Sequence, residues 1–319
     1  MSPTPHRIDV HHHIFPPVYV KALQKQKVAD AGGVAIPDWS VESALALMDR
    51  HAIATAITSV AAPGVYFGDA AEARDLARRC NEYSARLVQE YPERFGAFAV
   101  LPLPDVDGAL KELEYALDVL HLDGATLLSS IGDRYLGDPA FDDLFTELDR
   151  RKSVVFMHPT VPPSSRDIKL ALPGALIEFV FDTTRAVTNL IYSGTLERCR
   201  NLSIILPHAG GTVPYLAGRI ALFGKDPHLN AKAPQGAMAY LRRFYYETAL
   251  TTAATALSSL RELADPSRIL FGSDNPFAPE WLIQEKIQEL QDFTPFDAPA
   301  RAAIERSNAF ALFPRLRKA

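Results

Sequence analysis

Apolar and polar positions along this chain fall into a repeating arrangement: a short apolar run, then a longer segment with helical periodicity, eight times over. The runs occupy residues 7–13, 53–60, 95–101, 124–128, 153–158, 202–208, 244–250 and 268–274. Several, such as Ser153-Val154-Val155-Phe156, are apolar at nearly every position, the pattern of a strand covered on both faces. Between the runs, residues 40–51 place Val41, Ala44, Leu45 and Met48 on one helical face, and residues 70–91 form a long amphipathic helix. Residues 109–120, 141–150, 183–196 and 255–264 follow the same logic. Strand–helix alternation through eight units predicts an α/β protein of the (β/α)8 TIM-barrel class, as one domain over residues 1–319. Two connections are longer than the minimum: residues 14–39 after strand 1 and residues 159–201 after strand 5. They are expected as insertions that wall the mouth of the barrel.

Polar chemistry gathers at one place in that scheme. His11 and His13 end the first run, His158 the fifth, His208 the sixth and Asp274 the eighth. The C-terminal ends of barrel strands converge on one mouth, so these five side chains are expected to meet. Residues i and i+2 on a strand share a side, which turns His11 and His13 toward the barrel axis with Asp9 beside them. Ile8, Val10, His12 and Ile14 are then expected to face the helices. Imidazole is the commonest metal ligand and a carboxylate compensates a dication's charge. The expectation is therefore one divalent ion held by His11, His13, His158 and Asp274. Three imidazoles and one carboxylate suit Zn²⁺.

Composition acts mainly by exclusion. The chain is 48% hydrophobic and 22% charged, and 33 Lys plus Arg against 38 Asp plus Glu leave a net charge of −5. A mildly acidic chain with no basic run lacks the footprint of a nucleic-acid binder, so a small-molecule partner is expected. Cys80 and Cys199 are far apart and without metal spacing. With no apolar leader behind Met1 and no apolar run of spanning length, the chain is read as cytoplasmic and not membrane-bound.

Four motifs carry a family resemblance. They are Asp9-Val10-His11-His12-His13, Met157-His158-Pro159, His208-Ala209-Gly210-Gly211 with Gly218-Arg219, and Gly272-Ser273-Asp274-Asn275-Pro276-Phe277. Together they resemble the amidohydrolase superfamily, in its aminocarboxymuconate-semialdehyde decarboxylase-like branch, over nearly the whole chain. Residues 11–17, 126–130, 135–141 and 181–186 are most similar to the 6-methylsalicylate decarboxylases of that branch. Two departures stand out: Asn275 where an aromatic residue is common, and Pro207 before His208 where a small polar residue is usual. Asn275 is expected to alter the pocket wall.

The resemblance implies roles. His11, His13, His158 and Asp274 match the metal ligands, and His208 matches an active-site histidine beside the ion. Arg219 matches an arginine that reaches a neighbouring subunit's site, which implies a homodimer or homotetramer. Strand 4 ends Leu127-Leu128-Ser129-Ser130, with no lysine for a bridging carbamate, so one ion is expected, with Mn²⁺ the alternative to Zn²⁺. The implied reaction is non-oxidative decarboxylation of an ortho-hydroxy aromatic acid, 6-methylsalicylate to m-cresol and CO₂. Protonating the ring carbon before CO₂ leaves avoids an aryl anion. Asp274 is the expected acid and His208 its relay. Phe15, Phe181, Tyr246 and Phe277 are expected to clamp the ring, while Thr183, Thr184 and Arg185 open a helix. The alternatives are a metal-dependent, lactonase-like hydrolase that activates water, and a metal-binding homologue without catalysis.

Overall fold

The structure is a computed structural model that describes residues 6–60, 62–165, 167, 168 and 170–318. The eight apolar runs form eight barrel strands. They are β1 (Arg7–His13), β2 (Ile53–Ser59), β3 (Phe95–Val100), β4 (Gly124–Leu128), β5 (Val154–His158), β6 (Ser203–Leu206), β7 (Tyr245–Glu247) and β8 (Ile269–Leu270). They pair in chain order, every ladder parallel. The backbone after β8 returns to β1: Val10 N donates to Phe271 O at 3.0 Å, Asp274 N to His11 O at 2.8 Å and His13 N to Asn275 O at 2.7 Å. These bonds close the sheet. β7 and β8 are shorter than their apolar runs; beyond them Leu250 and Asp274 take left-handed backbone (φ 57° and 60°) and turn the chain over the mouth.

A register slip in β1 corrects the expected side-chain alternation. Asp9 pairs with Ala56 and His12 with Thr58, three steps on β1 against two on β2, as in a β-bulge. One extra residue reverses the parity. Ile8 and Val10 accordingly pack in the barrel interior with Ile57, Phe98, Phe156 and Leu270, instead of facing the helices. Beyond the slip, His11 and His13 also face inward, while Asp9 and His12 sit together on the far side, bonded at 3.0 Å. The interior stack has Phe98 on Phe156 at 5.6 Å, and the C-terminal Phe313 closes it with its edge on Phe98 at 5.9 Å. Burying each such ring stabilises the fold by about 1.5–3 kcal/mol.

The helices start where the sequence provides caps. Val41–Arg50 is opened by Ser40, whose side chain accepts from Ser43 N, and Ala70–Glu90 by Asp69, which accepts from Glu72 N. Each cap contributes about 1 kcal/mol. The helix expected over 183–196 is two: Glu178–Tyr192 and Thr195–Arg198, separated by Gly194 at φ 80°. Thr183, Thr184 and Arg185 therefore lie mid-helix instead of opening it. Among the described residues no helix is long and apolar enough to cross a membrane.

Both long connections carry structure of their own. After β1 come the helix Pro17–Lys25 and a hairpin of Asp30–Ala31 with Val34–Ala35. After β5 come short 3-10 turns at Pro163–Ser165 and Gly174–Leu176. Ala175 N donates to Gly32 O at 2.8 Å, so the two connections join above the mouth.

Candidate functional site

Three imidazoles and a carboxylate meet at that mouth, their ligand atoms all within 4.8 Å of one another and every residue buried: His11, His13, His158 and Asp274. Each imidazole is held by Nδ1 against an acceptor. His11 Nδ1 donates to Glu247 Oε1 at 2.9 Å, His13 Nδ1 to Ser59 Oγ at 3.1 Å, and His158 Nδ1 to Pro159 O at 2.7 Å. That leaves the three Nε2 atoms for the centre. His11 Nε2 lies 3.0 Å from His13 Nε2, and Asp274 Oδ1 lies 3.3 and 3.2 Å from the two. Donors about 2.0–2.1 Å from a shared ion sit roughly 3 Å apart, so the set fits one divalent metal. Asp274 Oδ2 points the other way, 3.5 Å from His208 Nε2.

The electrostatics follow from burial and proximity. Burial opposes charge on His11, but the Asp274 and Glu247 carboxylates outweigh it and raise its pKa to about 10. Burial, reinforced by the neighbouring His11, lowers His13. His158 falls well below the usual histidine value, through burial and then the charges of His13 and His11. Burial pushes Asp274 up, yet the His11 charge and hydrogen bonds from His11, His13 and His208 hold it well below the usual carboxylate range. Proton affinity is therefore concentrated on His11, and a bound ion would have to compete with the His11 proton.

Local backbone supports this geometry at a cost. His208, Ala209 and Asp274 all have positive φ (52°, 55° and 60°) without being glycine. Such residues cost about 1–3 kcal/mol each and persist only where the surroundings hold them. Asp9 bonds the His11 backbone N, Ser273 N and Oγ, and His12 Nδ1, tying β1 to the segment after β8 from outside the mouth; it does not touch a ligand ring. Asn275 donates its amide to His12 Nε2 at 3.0 Å, so it belongs to this outer network and not to the pocket wall. Asp182, pushed up to about 6 by burial, accepts from Thr160 N and Ser130 Oγ and so pins the chain just beyond His158.

A cavity of about 280 Å³ opens onto His158, His208 and Asp274. Its far wall is apolar, built from Val34, Leu176, Phe179, Leu250, Phe277 and Leu282, with Thr251 the one hydroxyl residue. Of the four aromatic residues expected there, only Phe277 lines it, its ring 5.6 Å from that of His13. Phe15 is buried one layer behind, against Phe277 and Tyr19. Tyr246 is core, its hydroxyl donating to Leu241 O, because Glu247 takes the inward side of β7. Phe181 is exposed; helix Glu178–Tyr192 starts early enough that Phe179 faces His158 (rings 6.0 Å apart), and two residues on the helix has turned about 200° away. Phe179→Ala is accordingly expected to lower kcat/KM for an aromatic acid about tenfold, and Phe181→Ala to change it less than about twofold, in steady-state assays. Arg219 does not line this cavity. It lies on helix Val213–Leu222, on an exposed stretch with Tyr215, Leu222 and Phe223.

The amidohydrolase family model matches residues 8–315. The chain belongs to the amidohydrolase family. Within it, the decarboxylase yanB of Aspergillus niger is 40% identical over 97% of this chain and 88% of its own. The 6-methylsalicylic acid decarboxylase acuB of Aspergillus aculeatus is 39% identical over 98% of this chain and 97% of its own. A dihydroxybenzoic acid decarboxylase of Polaromonas sp., solved with manganese and the inhibitor 2-nitroresorcinol, superposes with TM-score 0.84 at 25% identity, over 99% of this chain and 98% of that one. The resemblance drawn from the motifs is borne out. Sequence reasoning missed Glu247, Phe179 and Ser59. Glu247 alone left a signal, as the single carboxylate in an otherwise apolar or uncharged run at 244–250.

Proposed function

We propose that this protein is a metal-dependent, non-oxidative decarboxylase of an ortho-hydroxy aromatic acid, converting 6-methylsalicylate to m-cresol and CO₂. The observation that carries the reading is the juxtaposition of the buried three-histidine, one-carboxylate cluster with a cavity otherwise almost wholly apolar. The near-full-length similarity to 6-methylsalicylic acid decarboxylase supports the choice of acid. His11, His13, His158 and Asp274 would hold one divalent ion, Zn²⁺ by donor chemistry or Mn²⁺ as in the Polaromonas relative. Such an ion supplies Lewis acidity and a fixed anchor for the carboxylate and the adjacent phenolic oxygen.

The chain's own groups do the rest. Phe277 and Phe179 flank the ring, and the apolar wall keeps water from it. Asp274 Oδ2, directed toward His208 and the cavity, delivers a proton to the ring carbon bearing the carboxylate. Held as a carboxylate by His11, His13 and His208, Asp274 carries that proton only in passing: it takes it from His208 Nε2 and hands it to carbon. The C–C bond then breaks, its electron pair restores the aromatic ring, and CO₂ leaves as a neutral molecule. A second copy of the chain packing on Tyr215, Leu222 and Phe223 would bring Arg219 to its neighbour's carboxylate, in a homodimer or homotetramer of single-domain subunits.

The test pairs metal analysis by mass spectrometry with CO₂ release. One ion per chain, with equimolar CO₂ and m-cresol from 6-methylsalicylate, is the expected result. Metal with no CO₂, but turnover of a lactone, would move the chain to hydrolysis.

A further inference from the structure

We infer that Glu247 is a positioning residue that sets both His11 and His208, an inference resting on the metal site proposed above. Glu247 is wholly buried at the end of β7, and its two oxygens take three donors. Oε1 accepts from His11 Nδ1 at 2.9 Å and from the His208 backbone N at 2.6 Å; Oε2 accepts from Ala249 N at 2.6 Å. With a backbone N–H, which can only donate, on each oxygen, the carboxylate acts as acceptor, so His11 offers it Nδ1–H and directs Nε2 at the centre. The second bond holds the peptide of His208, a residue with φ 52° that needs an external hold to stay there. One side chain thus orients a ligand ring on β1 and the strained turn after β6.

The neighbouring sequence makes room for it. A Cβ at Gly272 would lie 1.9 Å from Glu247 Oε2 and 2.9 Å from His11 Cβ, so only glycine lets the carboxylate lie against the chain there. Asp9, the buried acid on the outer side of β1, bonds the backbone N of His11 and leaves its ring alone. Glu247 touches neither the cavity nor the point the Nε2 atoms face, so its effect is exerted through the two histidines.

The experiment compares Glu247→Leu and Glu247→Gln with wild type in two readouts: Mn²⁺ and Zn²⁺ affinity by chelator competition, and kcat and KM at saturating metal. Loss of the His11 hold is expected to weaken metal binding about 10–100-fold in E247L. Loss of the His208 hold is expected to lower kcat at least about tenfold even with metal saturating, with KM nearly unchanged. E247Q keeps one acceptor oxygen and should fall between on both scales. A variant that melts earlier but binds metal and turns over within about twofold of wild type would assign Glu247 a structural role only and overturn the inference. Should E247L not fold, E247Q alone decides by the same criterion. Wild-type protein that binds neither ion would instead remove the metal-site reading, which E247Q plays no part in testing.

Discussion

Asp274→Asn is expected to retain less than about a tenth of the wild-type metal and to release CO₂ from 6-methylsalicylate about 10³–10⁴-fold more slowly. Two functions converge on this carboxylate. Oδ1 faces His11 and His13 Nε2 at 3.3 and 3.2 Å, and Oδ2 faces His208 at 3.5 Å. Asparagine keeps the shape and removes the charge that offsets a dication and that raises His11. It also presents an amide where the proposed reaction needs a carboxylate able to pass on a proton. The control is His208→Asn: His208 stands outside the four-residue donor set, so that variant should keep its metal and lose about 10²–10³ in turnover. Mass spectrometry of metal content and CO₂ release on both variants separate the roles. D274N with full metal and turnover within tenfold of wild type would deny Asp274 both of them.

Much of this site is written in the sequence because two periodicities are strong. Apolar runs that end in His13, His158 and Asp274 place those residues at or just beyond strand C-termini whatever the detail of packing, and a barrel brings strand ends together. Legibility stops where geometry depends on a single residue of register. The slip between Asp9 and His12 leaves His11 and His13 facing inward as expected, yet sends Ile8 and Val10 into the interior and Asp9 away from it. Strict alternation cannot reveal an extra residue. The same sensitivity explains the aromatics: starting helix Glu178–Tyr192 five residues before the expected Thr183 exchanges Phe181 for Phe179 at the mouth. Tyr246 and Glu247 exchange sides on β7 for want of a fixed parity. The left-handed backbone at His208, Ala209 and Asp274 has only a weak residue-level signature, since none is glycine and Ala209 is a residue that rarely adopts it. Those conformations are imposed by tertiary bonds such as that from His208 N to Glu247.

The apolar wall has a consequence for substrate choice: 6-methylsalicylate is expected to exceed 2,6-dihydroxybenzoate in kcat/KM by about 100-fold. The two acids share the carboxylate and one ortho-hydroxyl, and differ in a methyl against a hydroxyl of nearly equal size at the other ortho position. Away from His158, His208 and Asp274, the cavity meets a ring with Val34, Leu176, Phe179, Leu250, Phe277 and Leu282, and a single hydroxyl from Thr251. A methyl group buried there gains about 0.8 kcal/mol over hydrogen, whereas a hydroxyl left without a partner costs about 1–3 kcal/mol. Salicylate, with hydrogen at that position, should therefore fall between the two. Competition assays that follow CO₂ from equimolar mixtures read the ratio directly. Equal turnover of the methyl and hydroxyl acids would mean that the second ortho substituent points back toward His208 and Asp274, where polar partners exist, and that the apolar wall holds the opposite edge of the ring.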